Sequence, residues 1–257
     1  MPIEYSLRED IAIVTLSDPD RRNALSRASI AGLHAAMTRS REDGARGVVI
    51  AAKGPAFCAG ANVDDLRTGW MENRVAETDP TRFFNSLTDD RRVVVAAVHG
   101  IALGGGFELT LACDMVVAGP DASFVCPELS LGVIPPTGLA LLARSVGRRR
   151  ALELMLTGRR VRVEEALSIG LVNRIAAADA VLEEAVALAR SVVRSVPPGA
   201  LGVAKRYANL LDPVDWEQVF GASKEVPAEE WREGLASFLE KRKPDYSPFW
   251  DNSKRGS

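Results

Sequence analysis

Glu108 follows Gly105 by three residues in the stretch HGIALGGGFELTLACD, residues 99–114. Glycine weakens helices, and an unpaired buried carboxylate is costly. Both stand where a helix is predicted to begin, just after the apolar strand VVVAAV. A helix N-terminus leaves backbone N–H groups without partners and carries the positive end of the helix dipole. Gly104–Gly106 can therefore aim N–H groups at an anion or a polarised carbonyl oxygen. The alternative is a tight strand–helix contact that needs small residues. Three residues advance a helix by about 4.5 Å, so a carboxylate at 108 sits beside whatever Gly105 binds. Phe107, Leu109, Leu111 and Ala112 predict a buried helix around it.

The loop GPAFCAGANVDDL, residues 54–66, offers a second donor. Ala59, Gly60 and Ala61 are small, and a short helix is predicted over residues 62–67; an ordinary left-handed turn is the alternative. Two backbone donors from two helix starts would make an oxyanion hole. A second carboxylate, Glu128, lies in SFVCPELSLGVIPPTG, residues 123–138. It is either a solvated loop glutamate or a partner facing Glu108 across a pocket. The fingerprints GxGxxG and GxxxxGK[ST] are absent, which argues against a phosphate cradle.

The elements that must carry these residues follow from pattern. IEYSL and IAIVTL read as a hairpin, DPDRRN as a turn, and residues 26–43 as an amphipathic helix capped by Ser26 and stopped by Gly44. GVVIAA, VVVAAV, MVVAG and ASFVCP read as buried strands. Residues 69–81 are polar, and Pro80 opens a helix ending near Arg92. After Pro136 every segment carries helical period, including final helices near 215–222 and 227–242, and a polar tail, DNSKRGS. The expected class is α/β: a core over residues 1–195 and a C-terminal helical region over 196–257.

A length of 257 residues suits one large domain or one with an appendage. Hydrophobic residues at 47% and charged residues at 26% match a soluble globular chain, and the net charge of −2 gives no field for nucleic acid. No run of 18 apolar residues predicts a membrane span, and the acidic, polar start lacks the order of a signal peptide. A cytoplasmic protein is expected. Cys58, Cys113 and Cys126 form no CxxC pattern, and His34 and His99 are far apart, so neither a disulfide framework nor a metal site is expected.

The segments NAL (23–25), AFCAGA (56–61), AAVHGIALGGGFELTLACD (96–114), PELSLGVIP (127–135), VGRRRALELMLTGRRVRVEEALSIGLVN (146–173) and FLEKRKPDY (238–246) occur in order over nearly the whole chain. By these the chain resembles the crotonase superfamily, and within it the enoyl-CoA hydratases. The resemblance implies a spiral of ββα turns with a C-terminal helical trimerisation region, and self-association as a trimer or dimer of trimers. It implies an acyl-CoA substrate, with coenzyme A entering as part of the thioester and no permanently bound cofactor. By position Ala61 and Gly105 supply the oxyanion hole, Glu108 activates water and Glu128 delivers the proton to Cα. Arg21, Arg22, Ala24, Ala59, Asn62, Phe238 and Lys241 match substrate-binding positions.

Some residues depart from the family pattern. Asn62 stands where many relatives have Asp, Asp64 where some hydratases have Lys, and Phe107 is bulkier than usual. PPTG (135–138) replaces the usual Pro-Gly run near the acyl end. These keep the glutamate pair and bear on the acyl group. An isomerase, a specialised acyl-CoA hydratase or dehydratase, and a CoA-binding paralogue without turnover are the alternatives. Apolar faces in ALELMLTG and DAVLEEAVALARSVV exceed what covering one core requires. A sedimentation mass of three or six chains is therefore expected at micromolar concentration; a single-chain mass would refute it.

Overall fold

A computed structural model of the chain describes residues 2–68, 70, 75–210, 227–246 and 248. Strands β1 (Ile3–Arg8) and β2 (Ile11–Leu16) form the expected hairpin. Ser26 caps α1 (Arg27–Glu42): its hydroxyl accepts from Ser29 N–H while Ser29 Oγ accepts from Ser26 N–H. Then come β3 (Gly47–Ala52), α2 (Val63–Arg67), α3 (Pro80–Thr88), β4 (Val93–Val98), β5 (Ile101–Leu103), α4 (Gly105–Leu111), β6 (Met115–Ala118) and β7 (Ser123–Val125). A 3-10 helix spans Glu128–Leu131. The rest comprises α5 (Ala143–Val146), α6 (Arg148–Thr157), β8 (Val161–Arg162), α7 (Val163–Ser168), β9 (Arg174–Ile175), α8 (Val181–Ser195), α9 (Pro198–Leu210) and α10 (Ala228–Leu239).

The larger sheet has the order β1-β2-β3-β4-β6-β9 and is parallel from β2 onward. Its central strands are buried on both faces, which is why they read as unbroken apolar runs. Alternation still divides them. Val49, Val93, Val95, Ala97 and Val117 pack with Ala185, Val186 and Ala189 of α8. Val48, Ile50, Val94, Ala96 and Val98 face the main core with Leu33 of α1 and Phe107 and Leu109 of α4.

A smaller sheet, β5-β7-β8, explains how the loops are stacked. Cys58 pairs with Ala102 of β5 in a parallel bridge, and β5 pairs in parallel with β7. Each turn of the chain thus contributes a strand to the large sheet, a short segment to the small one, and a helix. The turns run β3–Cys58–α2, β4–β5–α4 and β6–β7–3-10 helix. Because the three short segments are parallel, the residues after Cys58, Leu103 and Val125 emerge on one side.

Several expectations need correction. β5 lies in a stretch to which no element was assigned, and β8 and β9 interrupt a half expected to be all helix. These strands are two or three residues long, too short to show a period. The helix opened by Pro80 ends at Thr88, not near Arg92. There the Asp90 carboxylate accepts from Arg92 N–H at 3.0 Å and from its guanidinium at 2.8 and 2.9 Å, replacing the helical carbonyl. The helical run after Thr137 is broken by Gly147 at φ 80°. The helix expected near 227–242 is α10; the one near 215–222, the tail, and residues 69 and 71–74 lie outside the described residues.

Asn23 holds the first of these turns. It is 3% exposed at φ 56°. Its Oδ1 accepts from Asp18 N–H at 2.8 Å, and its Nδ2 donates to the carbonyls of Lys53 and Ala56, each at 2.8 Å. Asn23→Ala unpairs three backbone groups and leaves alanine at positive φ. A loss of about 2–4 kcal/mol is expected in urea denaturation; a loss under about 1 kcal/mol would show that the loop holds without this side chain.

Candidate active site

Backbone contact brings two N–H groups together. A Cβ on Gly60 would lie 2.9 Å from the Leu103 carbonyl oxygen and 3.6 Å from Gly105 N. A Cβ on Gly105 would lie 3.7 Å from Ala61 N. Leu103 N–H donates to Cys58 O at 2.9 Å, and Gly104 N–H to Val125 O at 2.8 Å, tying the three turns together. Among the described residues, neither Ala61 N–H nor Gly105 N–H makes a backbone hydrogen bond. Ala61 is exposed and Gly105 half-buried. Two adjacent unpaired N–H groups can hold a carbonyl oxygen on which negative charge develops.

Three glycines at the start of α4 have distinct reasons. Gly104 adopts φ 53° and ψ −123°, a region closed to L side chains, and a Cβ there would lie 2.8 Å from Glu128 Oε1. Gly105 is one member of the donor pair, and a Cβ on it would lie 3.3 Å from Leu25 Cδ1. A Cβ on Gly106 would strike the carbonyl and side chain of Cys58.

The two carboxyls meet at this spot. Glu108, on α4, is 6% exposed, and its Oε1 accepts from Gly138 N–H at 2.8 Å. Burial pushes its pKa well up, the charge of Glu128 adds to the rise, and N–H groups of Gly138 and Thr137 oppose it. Glu128 as a residue is half-buried, but its Oε2 is enclosed and has no protein partner. Burial raises its pKa too, against a contact with the Cys126 thiol and its own N–H. Thr137 is wholly buried, and its hydroxyl has no partner among the described residues. The two carboxyls feel one another's charge and so titrate as a pair.

Of the other residues singled out by sequence, one group lines up beside the donor pair. Ala59 N–H donates to Arg22 O at 3.0 Å, Leu25 N–H to Gly60 O at 2.7 Å and Asn62 N–H to Leu25 O at 2.6 Å. The 21–25 loop, with Arg21, Arg22 and Ala24, thus runs along residues 59–62. Arg21 is exposed and pairs loosely with Asp18 at 3.7 Å. The Asn62 side chain is committed to capping α2, accepting from Asp64 and Asp65 N–H. Phe238, 51% exposed, and Lys241 belong to α10 and its end, and α10 packs against the Glu128 helix. Sequence reasoning missed Gly138 and Thr137 as ligands of Glu108; PPTG was noted only for its departure from pattern. It also passed over Asn23, whose signal was its place in NAL. Among the described residues no group of three or more His, Cys, Asp or Glu could hold a metal ion, and no helix is long and apolar enough to cross a membrane.

A pH dependence follows from the buried pair. The folded state raises the Glu108 pKa, so the unfolded state ionises first as pH rises. Stability is lost from the unfolded pKa, about 4.3, up to the folded value. Glu108→Gln removes this penalty and keeps an oxygen for Gly138 N–H. Its melting temperature should equal or exceed that of the native protein at pH 5, with the gap widening toward pH 8. A gap that narrows with pH would mean that Glu108 is not held in a charge-disfavouring site.

Residues 6–248 match the family model described as enoyl-CoA hydratase/isomerase. A putative enoyl-CoA hydratase of Thermus thermophilus is 36% identical, over 92% of this chain and 97% of that protein. The 2,3-dehydroadipyl-CoA hydratase of Escherichia coli is 32% identical, over 94% and 96%. Among solved structures, a carnitinyl-CoA hydratase from Mycobacterium avium superposes with a TM-score of 0.85 at 32% identity, covering 96% of this chain and 98% of that one. The spiral of ββα turns with its C-terminal helices is the crotonase fold, and the chain belongs to the enoyl-CoA hydratase/isomerase family of the crotonase superfamily.

Proposed function

We propose that the protein is an enoyl-CoA hydratase, a hydro-lyase that adds water across the 2,3 double bond of a 2-enoyl-CoA thioester. The observation that carries this reading is the meeting of the buried Glu108 carboxyl and the Glu128 carboxyl beside the unpaired N–H groups of Ala61 and Gly105. The thioester oxygen accepts from both N–H groups, which favours an enolate-like transition state. Glu108 takes a proton from water as the water oxygen bonds to Cβ. The π pair of the double bond moves into the enolate, and Glu128 gives its proton to Cα. Addition leaves Glu108 protonated and Glu128 ionised, and one proton transfer resets the pair.

The roles are assigned by position in the family pattern, and the hydrogen bonds leave both carboxyls able to ionise: the Cys126 thiol and its own N–H favour ionised Glu128. N–H groups of Gly138 and Thr137 favour the ionised form of Glu108, which suits a base. Glu128 Oε2 is enclosed without a donor, and burial favours a proton on that carboxyl. Arg21, Arg22, Ala24, Ala59 and Asn62 on one side and Phe238 and Lys241 on the other are the proposed coenzyme A contacts. Coenzyme A comes and goes with the substrate, and no other cofactor is required.

Thr137, whose backbone N–H lies against Glu108 and whose buried hydroxyl has no partner among the described residues, favours a second reading within the class, an acyl group with a polar substituent. Relatives named for 2,3-dehydroadipyl-CoA and carnitinyl-CoA support looking beyond plain alkyl chains. We also propose residues 1–195 as the catalytic core and 196–257 as the region of trimer contact; exposed Leu156 and Leu167 add apolar surface to such an assembly.

Turnover on a panel of 2-enoyl-CoA and 3-enoyl-CoA substrates of varied length and polarity tests the reading. Hydration should exceed isomerisation. Glu108→Gln and Glu128→Gln should each lower kcat by at least ~10², with KM little changed. Near-native hydration by either variant would remove the role assigned to it.

A further inference from the structure

We propose that α10 and the hook after it form a clasp that positions Glu128; this rests on reading Glu128 as the proton donor. Glu128 heads a 3-10 helix of only four residues, and its Oε2 has no protein partner. Apart from the contact with the Cys126 thiol, its place is set by the backbone beneath it. α10 bears on that backbone at three successive residues. Tyr246 Oη donates to Ser130 O at 2.9 Å. Gly234 meets the next carbonyl so closely that a Cβ there would strike Leu131 O and lie 2.7 Å from Tyr246 Oη. Gly132, at φ 68°, closes the 3-10 helix, and a Cβ on it would lie 2.9 Å from Glu230 O.

The hook that presents Tyr246 is itself fixed. Arg242 grips Glu233 through both terminal nitrogens, at 2.6 and 2.9 Å, and Asp245 N–H donates to Glu233 Oε1 at 2.7 Å. Ser237, wholly buried, donates to Gly234 O at 2.8 Å. Short 3-10 helices have poor hydrogen-bond geometry and little stiffness of their own. A proton donor displaced by about 1 Å can cost 10²-fold in rate. Gly234 and Tyr246 are accordingly positioning residues. They stand on the element that carries Phe238 and Lys241, so the proposed coenzyme A end and the acid share one support.

The test measures kcat and KM for hydration of a 2-enoyl-CoA by the full chain, with Gly234→Ala and Tyr246→Phe made alone and in a Glu128→Gln background. Gly234→Ala should lower kcat about 10-fold or more, and Tyr246→Phe about 3-fold or more, with KM within about twofold. Neither should lower the residual kcat of Glu128→Gln further, because both act through that side chain. Equal losses in the two backgrounds, or native kcat in folded variants, overturn the clasp. If Gly234→Ala does not fold, Tyr246→Phe decides alone, since it deletes one hydroxyl and keeps the ring. Native turnover by Glu128→Gln itself overturns the underlying reading and the clasp with it, whereas an impaired Glu128→Gln with unaffected clasp variants overturns the clasp only.

Discussion

There is no room for a side chain at position 106. The carbonyl and side chain of Cys58 occupy that space, so the first turn of α4 lies directly on the backbone of the preceding spiral turn. Much of the site depends on that approach. The parallel bridge between Cys58 and Ala102 sets the height of one turn on the next, and β7 continues the stack. With that spacing, Ala61 and Gly105 put their N–H groups side by side, and Gly104 leaves the Glu128 carboxyl a bare Cα to rest on. A methyl group at 104 or 106 would spread the stack and separate donors from acid.

The same compactness sets the electrostatics. Closing three loops on one another takes Glu108 out of water and brings Glu128 near it, so burial and like charge both favour a proton in the pair. This works against stability, since the unfolded chain ionises both carboxyls freely at neutral pH. The cost is borne by a large apolar core: a sheet buried on both faces, with α8 on one side and α1 and α4 on the other. The direct backbone hydrogen bond to Glu108 Oε1 comes from Gly138, 30 residues away. Glu128 is steadied from the outer side, through Ser130, Leu131 and Gly132. One carboxyl is thus held by N–H donors and the other by the backbone that bears it.

The residues that the structure gathers at the candidate site were legible in the sequence, and so were the elements with strong local signals. A Ser with a reciprocal partner three residues on starts α1, and Gly44 stops it. Glycines followed by an apolar run mark the start of α4, and Asn62, which accepts from Asp64 and Asp65 N–H, stands at the start of α2. Such signals lie within one helical turn and need no partner from elsewhere. The parallel strands were legible because burial on both faces demands an unbroken apolar run. β5, β8 and β9 were not, because two or three residues carry no period and pair only when a neighbour is already in place. The end of α3 was misjudged for a related reason, since it depends on the side chain of Asp90 folding back on Arg92.

What the sequence by itself determined is therefore local: where helices start, which strands are wholly buried, and which carboxyls and glycines stand at helix starts. What only the tertiary structure decided is who meets whom. Asn23 grips Lys53 and Ala56, Gly138 donates to Glu108, and Tyr246 reaches Ser130 across 116 positions. None of these partners is near in sequence, and none of the residue types announces its partner. They meet because parallel segments can stack only one way when glycines remove the side chains between them, and that spacing is a property of the assembled spiral and of no single segment.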